Sequence, residues 1–190
     1  MAEGERTLDR GQPPLPDKVV AIHEALAEAR IAHALGGAIA LAYYAEPRAT
    51  IDIDINVFVP VERWPEVMAA LGEVGVETAQ LDSGALERDE QCRLWWGSNP
   101  VDLFFSYDPI HDEMRTDARR VPFAGETIPI LSPEHLAVCK AMFNRPKDWI
   151  DIEQMIRADG IGDVAKVEGW LSRMVGEDDI RIARLAELRP

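Results

Sequence analysis

Cysteine is scarce in this chain, basic side chains are outnumbered, and no apolar run approaches the roughly 20 residues of a membrane-spanning helix. Each shortage removes a class of function. Cys92 and Cys139, the two cysteines among 190 residues, belong to neither a CxxC nor a Cys/His ligand pattern, so both read as free thiols. The 20 basic against 34 acidic side chains give a formal charge of −14, an average field that repels polyanions and argues against broad nucleic-acid binding. A local basic patch stays compatible with RNA or a triphosphate, because screening confines such interactions to on the order of 8 Å. The opening residues MAEGERTLDRGQPPL lack the apolar stretch of a secretory signal, so the expected location is cytoplasmic, with no membrane partner. Internal repeats and low-complexity segments are also missing.

What is present is the composition of a soluble globular chain, 47% hydrophobic and 28% charged, with helical and strand periodicities side by side. This predicts an α/β (α+β) chain organised as one integrated unit: a flexible leader over 1–16, a core over 17–131 and a C-terminal helical segment over 132–190 packed on that core. Asp17 can cap a helix whose apolar positions are Val19, Ile22, Leu26 and Ala29. A short apolar strand, Ile31 to Leu35, runs into Gly36-Gly37 and an alanine-rich helix that must end before Pro47. Ile51 to Val59 alternates as a half-buried strand, with Ile51, Ile53, Ile55 and Val57 opposite Asp52, Asp54 and Asn56. An amphipathic helix over 62–74 follows, then a weak strand near Val76 and a polar loop through Gly84. QCRLWWG and VDLFFSY, joined by Ser98-Asn99-Pro100, read as neighbouring antiparallel strands. Ser132 and Pro133 open a helix reaching Asn144, and three further helical patterns cover 147–158, 163–175 and 178–188.

The chemistry gathers on the Ile51 strand. Residues i and i+2 of a strand share a face, so Asp52 and Asp54 hold two carboxylates with Cβ atoms about 7 Å apart. Aspartate is depleted in strands and the pair repels itself, so a cation between them is the natural complement. Magnesium, or manganese in its place, takes oxygen ligands and binds through one or two carboxylates plus substrate phosphates. Asp102 shares a face with Phe104 and Ser106 in the later strand. If the two strands are neighbours with their acidic faces aligned, Asp102 completes a triad able to hold two metals, acting either as a ligand or as the acceptor of a proton. Gly36-Gly37 opens a helix where backbone N–H groups can approach phosphate without a Cβ in the way, although glycines at such turns also arise for steric reasons.

The stretch LGGAIALAYYAEPRATIDIDINVF resembles the signature of the DNA polymerase beta-like nucleotidyltransferase superfamily: an apolar residue, Gly-Gly, a spacer, then Asp-x-Asp between apolar residues. The spacer here, Ala38 to Ile51, is fourteen residues, at the long end of the pattern. LSPEHLAVCKAMFNRPKDWIDIEQMI is similar to a motif of the AbiEii/AbiGii and MenT-like toxin nucleotidyltransferases, with Lys140, Arg145, Lys147, Asp148 and Asp151 in its places. The resemblance spans roughly 33–157. It implies the nucleotidyltransferase fold, a mixed, mostly antiparallel sheet flanked by helices and followed by a small C-terminal helical segment. It also implies transfer of a nucleoside monophosphate from a nucleoside triphosphate, with magnesium on Asp52, Asp54 and Asp102. Lys140 and Lys147 would contact the triphosphate, with Arg145 beside them, while Asp148 or Asp151 fixes the basic side chains or assists catalysis. The acceptor implied by the toxin branch is tRNA or a protein, with a cognate antitoxin as partner; aminoglycoside nucleotidyltransferases share the first motif and imply a small hydroxyl compound. A third reading is a nucleotide-binding or partner-binding module without turnover.

Around this core, Arg48 is suited to pair with phosphate and Thr50 to hydrogen-bond it, or they are a surface charge and an ordinary strand-opening residue. Arg115, Arg119 and Arg120 form a basic cluster that could touch RNA or simply be a solvated helix end. His23, His33, His111 and His135 lack metal-ligand spacing, and Trp64, Trp95, Trp96, Trp149 and Trp170 are assigned to packing.

Overall fold

The computed structural model describes residues 11–188. Most of the expected leader, residues 1–10, lies outside the described residues. Helix α1 (Leu15–Glu28) begins slightly before Asp17, with Pro16 in its first turn, where a missing N–H leaves no bond unmade. It buries Val19, Ile22 and Leu26. Strand β1 (His33–Leu35) leads into α2 (Gly37–Leu41), and β2 (Ile53–Val57) carries the acidic motif. A 3-10 turn (Val61–Arg63) opens α3 (Trp64–Glu73), and α4 (Ser83–Asp89) precedes the hairpin β3 (Gln91–Trp96) and β4 (Asn99–Phe105). Helix α5 (Ile110–Asp117) and the hairpin β5 (Arg119–Phe123) and β6 (Glu126–Ile130) follow. The chain continues through α6 (Pro133–Phe143), α7 (Pro146–Arg157), α8 (Val164–Val175) and α9 (Ile180–Glu187).

The strands form one sheet in the order β3-β4-β2-β1-β6-β5. Pairs β1/β2, β3/β4 and β5/β6 are antiparallel, while β2/β4 and β1/β6 are parallel, so the sheet is mixed and mostly antiparallel, flanked by helices as expected. One face of its centre is wholly apolar: Ile53, Ile55, Val57, Val101, Leu103 and Phe105 are fully buried. The alternation that buries these residues turns Asp54, Asn56, Asp102 and Phe104 to the opposite face.

Four local expectations change. Helix α2 stops at Leu41 rather than running toward Pro47, and the chain turns so that the Tyr44 hydroxyl donates to the Leu131 carbonyl at 2.8 Å. The strand near Val76 reduces to a single bridge between Glu77 and Trp95. The polar loop before Gln91 contains α4, capped by Asp82 accepting from the Ala85 N–H; only Leu86 is buried there, so the segment lacks an apolar period to read. Trp64 is half-buried, its indole N–H bonded to Glu87, whereas Trp149 and Trp170 are buried as expected.

Candidate active site

Asp54 and Asp102 are direct register partners on the adjacent parallel strands β2 and β4. They therefore project from the same face of strands spaced about 4.8 Å apart. Asp52 lies just ahead of β2, where its N–H donates to the Thr50 hydroxyl at 3.1 Å. Thr50 thus shapes the turn that presents the acidic strand. The Asn99 side-chain amide donates to the Ile51 carbonyl at 2.9 Å, tying the β3–β4 turn to the same point. Burial, followed by the charges of Asp102 and Asp52, pushes the Asp54 carboxyl up from 3.8 to about 6, against the opposing pull of Lys140 and Arg145. An uncompensated negative field thus meets at Asp54.

Gly36 and Gly37 lie against this carboxylate. The Gly36 N–H donates to the Asp54 carbonyl at 2.8 Å. Gly37 has φ +53, and a Cβ there would overlap the Asp54 carboxylate. Glycine is demanded at Gly37 by both backbone and space.

The basic side chains come from α6 (Lys140), the cap of α7 (Arg145) and the loop ahead of β2 (Arg48). Lys140 is buried, and its ammonium donates to Asp151 at 2.7 Å. Arg48 reaches the same carboxylate at 3.2 Å. Burial works to raise the Asp151 carboxyl, but the bonds from Lys140 and Arg48 prevail and hold it below the ordinary range. Asp148 grips Arg145 through Nε at 2.7 Å and Nη2 at 3.1 Å while accepting from the Arg145 N–H, which caps α7. Each lysine or arginine of this cluster that faces the carboxylates is thereby oriented by an aspartate on α7.

Gly36, Gly37, Asp54, Lys140, Arg145 and Asp148 line one cavity of about 250 Å³. Its remaining wall is largely apolar or aromatic, including Phe104, Tyr107, Met114, Leu136 and Phe143, with Asp89 and Glu90 adding acidic groups. Arg48 and Lys147 line a separate groove with Asp151 rather than this cavity. Arg115 and Arg120 lie in another groove with Arg30, His23 and His33, at the end of β1 opposite Gly36. Cys139 also borders the main cavity, but burial pushes its thiol up to about 12, which disfavours a thiolate nucleophile.

No protein-family model matches the chain, and no curated protein matches it. Solved structures do. The antibiotic-resistance factor ANT(2'')-Ia in solution superposes with a TM-score of 0.59 at 20% identity, covering 84% of this chain and 92% of its own. The crystal structure of ANT(2'')-Ia with adenylyl-2''-tobramycin gives 0.59 at 17% identity, covering 92% and 98%. The lincosamide antibiotic adenylyltransferase LnuA, lincomycin-bound, gives 0.50 at 12% identity, covering 73% and 94%. The chain has the nucleotidyltransferase fold.

Within that fold, the donors at the acidic site are all carboxylate oxygens, the chemistry that suits magnesium or manganese. One residue absent from the sequence reading alters the arrangement. Arg93, the register partner of Asp102 on β3, donates to both of its carboxylate oxygens at 2.7 Å. Because β3 lies on the side of β4 away from β2, this fork draws the Asp102 carboxylate away from Asp54. The three aspartates do not bring one oxygen each within 4.8 Å of the others. The Arg93 side chain is 55% exposed, so it is free to swing out and release Asp102 by rotation about its side-chain bonds. Alternation in QCRLWWG would have revealed that Arg93 faces the acidic side; its pairing with Asp102 required the hairpin register.

Proposed function

We propose that the protein transfers a nucleoside monophosphate from a nucleoside triphosphate to a hydroxyl group of a small acceptor. The observation that carries this reading is the Asp54–Asp102 register, with Asp52 immediately upstream and Gly37 packed on the Asp54 carboxylate. Asp52, Asp54 and, once released from Arg93, Asp102 would hold magnesium, which supplies charge stabilisation at the phosphoryl group when bound. Lys140 and Arg145, which line the same cavity as Asp54 while Asp52 and Asp102 do not, meet the phosphate oxygens. The acceptor hydroxyl gives its proton to an Asp102 oxygen, the acceptor oxygen bonds to the α-phosphorus, and the bond to the leaving pyrophosphate breaks in line.

A partly open cavity with a largely apolar wall, acidic Asp89 and Glu90, and a chain charge of −14 favour a compact, cationic acceptor over a polyanion. The fold neighbours are described with the antibiotics tobramycin and lincomycin, compounds of that size class. A second reading, toxin-like transfer to tRNA or protein with a cognate antitoxin, draws on the Arg145-to-Asp151 segment and the basic groove of Arg30, Arg115 and Arg120. The test is incubation with each α-labelled triphosphate and magnesium against an aminoglycoside and lincosamide panel, in parallel with total tRNA and a protein extract. Label on a drug, lost in Asp52→Asn and Asp54→Asn, is the expected result. Label only on tRNA or protein selects the toxin-like reading, and undiminished transfer by both variants overturns the assignment of the site.

A further inference from the structure

A second cluster of ligating groups lies outside the site just described. Glu113 and Asp117 occupy successive turns of α5, and His135 lies in the first turn of α6. One ligand atom from each lies within 4.8 Å of the others, the one such group of three or more among the described residues. Glu113 and Asp117 are four apart on one helix, but His135 lies eighteen residues further on, so its place beside them is visible only in three dimensions.

The decisive atom is His135 Nε2. The residue is fully buried, its Nδ1 is 2.9 Å from the Ser132 hydroxyl, and Nε2 has no hydrogen-bond partner. Nε2 faces Glu113 Oε2 across 3.9 Å, too far for a hydrogen bond. If Nδ1 carries the proton, the Nε2 lone pair confronts a carboxylate; if Nε2 carries it, a buried N–H goes unpaired. A cation between the imidazole and the carboxylates suits the first case, with the proton on Nδ1 beside the Ser132 hydroxyl and the Nε2 lone pair turned to the ion. The structure contains a stand-in: Lys166 from α8 puts its ammonium 2.6 Å from Asp117 and 3.5 Å from Glu113. An ammonium only donates and leaves Nε2 unsatisfied where it lies. The Trp170 indole N–H, 3.1 Å from Glu113 Oε2, completes the groups that face the cluster.

We infer that Glu113, Asp117 and His135 form a second, non-catalytic site for a divalent ion of the zinc type, which binds by displacing the Lys166 ammonium. One imidazole nitrogen and two carboxylates suit that ion, with water as the fourth ligand. Contraction to bonds of about 2.0–2.2 Å requires movement of the two carboxylates, and both belong to exposed side chains. Lys166 is partly exposed and can withdraw to solvent. The ion would fasten α5 to α6, and the same helix supplies Ile110, His111 and Met114 to the cavity wall. Its consequence is a cavity of fixed width.

The experiment uses the full chain carrying Asp54→Asn, which weakens ion binding at the catalytic carboxylates. After chelator treatment, zinc affinity is measured by competition with a chromophoric chelator and cobalt(II) binding by its visible absorption. One zinc per chain is expected, with the intense cobalt spectrum of a four-coordinate ion. His135→Gln and the exposed Glu113→Gln each weaken zinc binding at least tenfold, and Lys166→Met strengthens it at least tenfold by removing the competing cation. Zinc binding unchanged in Glu113→Gln and His135→Gln, or no tighter in Lys166→Met, overturns the proposal. None of these readouts depends on nucleotidyl transfer, so the outcome is separate from that of the proposed activity.

Discussion

Replacing Gly37 by alanine separates backbone strain from damage to the chemistry. A residue with a side chain at φ +53 costs about 1–2 kcal/mol relative to glycine. For a chain of this size that corresponds to a fall in melting temperature of roughly 2–8 °C, at about 2–4 °C per kcal/mol. The added methyl group also overlaps the Asp54 carboxylate, which must move by on the order of 1 Å, a displacement that costs about 100-fold in rate at a reacting centre. Gly36→Ala is the internal control: its new Cβ would lie 3.2 Å from Asn56 Nδ2, a contact a small shift relieves, so its loss should stay under about tenfold. Thermal unfolding with single-turnover transfer from a labelled triphosphate checks both variants. Gly37→Ala retaining transfer within about threefold of the parent would falsify the proposed role of Asp54 at the phosphoryl group.

Two further perturbations act on the same carboxylates. The folded-state Asp54 carboxyl, at about 6 against 3.8 for the free group, binds its proton more tightly than the unfolded chain does. The contribution of Asp54 to stability without divalent ions is therefore fully present below pH 4 and is lost, by about 3 kcal/mol, as pH rises to 6 and above. Asp54→Asn should abolish that loss, melting above the parent at pH 8 without magnesium and below it with saturating magnesium; an unchanged pH profile in urea unfolding would count against the buried negative field. Arg93→Ala frees Asp102 from a pair whose arginine is half exposed, worth about 1 kcal/mol, so manganese binding, followed by electron paramagnetic resonance, should tighten by up to about fivefold. Weaker binding would mean that Arg93 supports the ion site rather than competing with it.

The central strand, the Asp52-x-Asp54 motif and the helices from Ser132 onward were legible because each carries a local signal: period-two alternation, a cap with its proline, or a break. Helix α6 begins at Pro133 behind Ser132 as read, and α8 and α9 fall within a residue or two of their patterns. The hairpin β5–β6 was not legible, since β5 is an edge strand with no buried residue and Pro122 in its middle. Its turn, Ala124 and Gly125 both at positive φ, shows only in the backbone. At the site, the residue types were readable but their pairings were not. That Asp151 serves Lys140 and Arg48 depends on how α6, α7 and the loop before β2 pack, that Arg93 forks onto Asp102 depends on the hairpin register, and that Asp148 serves Arg145 depends on the capping geometry of α7. Nor did spacing separate Lys147 and Arg48, which share a different groove, from the residues of the main cavity.

Lys18 of α1 is buried and donates to the Trp96 carbonyl at 2.8 Å and the Asn99 side-chain oxygen at 2.9 Å, while Asn99 in turn holds the Ile51 carbonyl. The opening helix is thus bolted, through a single asparagine, to the residue that immediately precedes the first aspartate. Shortening the chain past this lysine, or fusing a tag that unwinds the helix, disturbs the alignment of the acidic strand before it melts the core, so a truncated chain that spares the sheet is still expected to be inert.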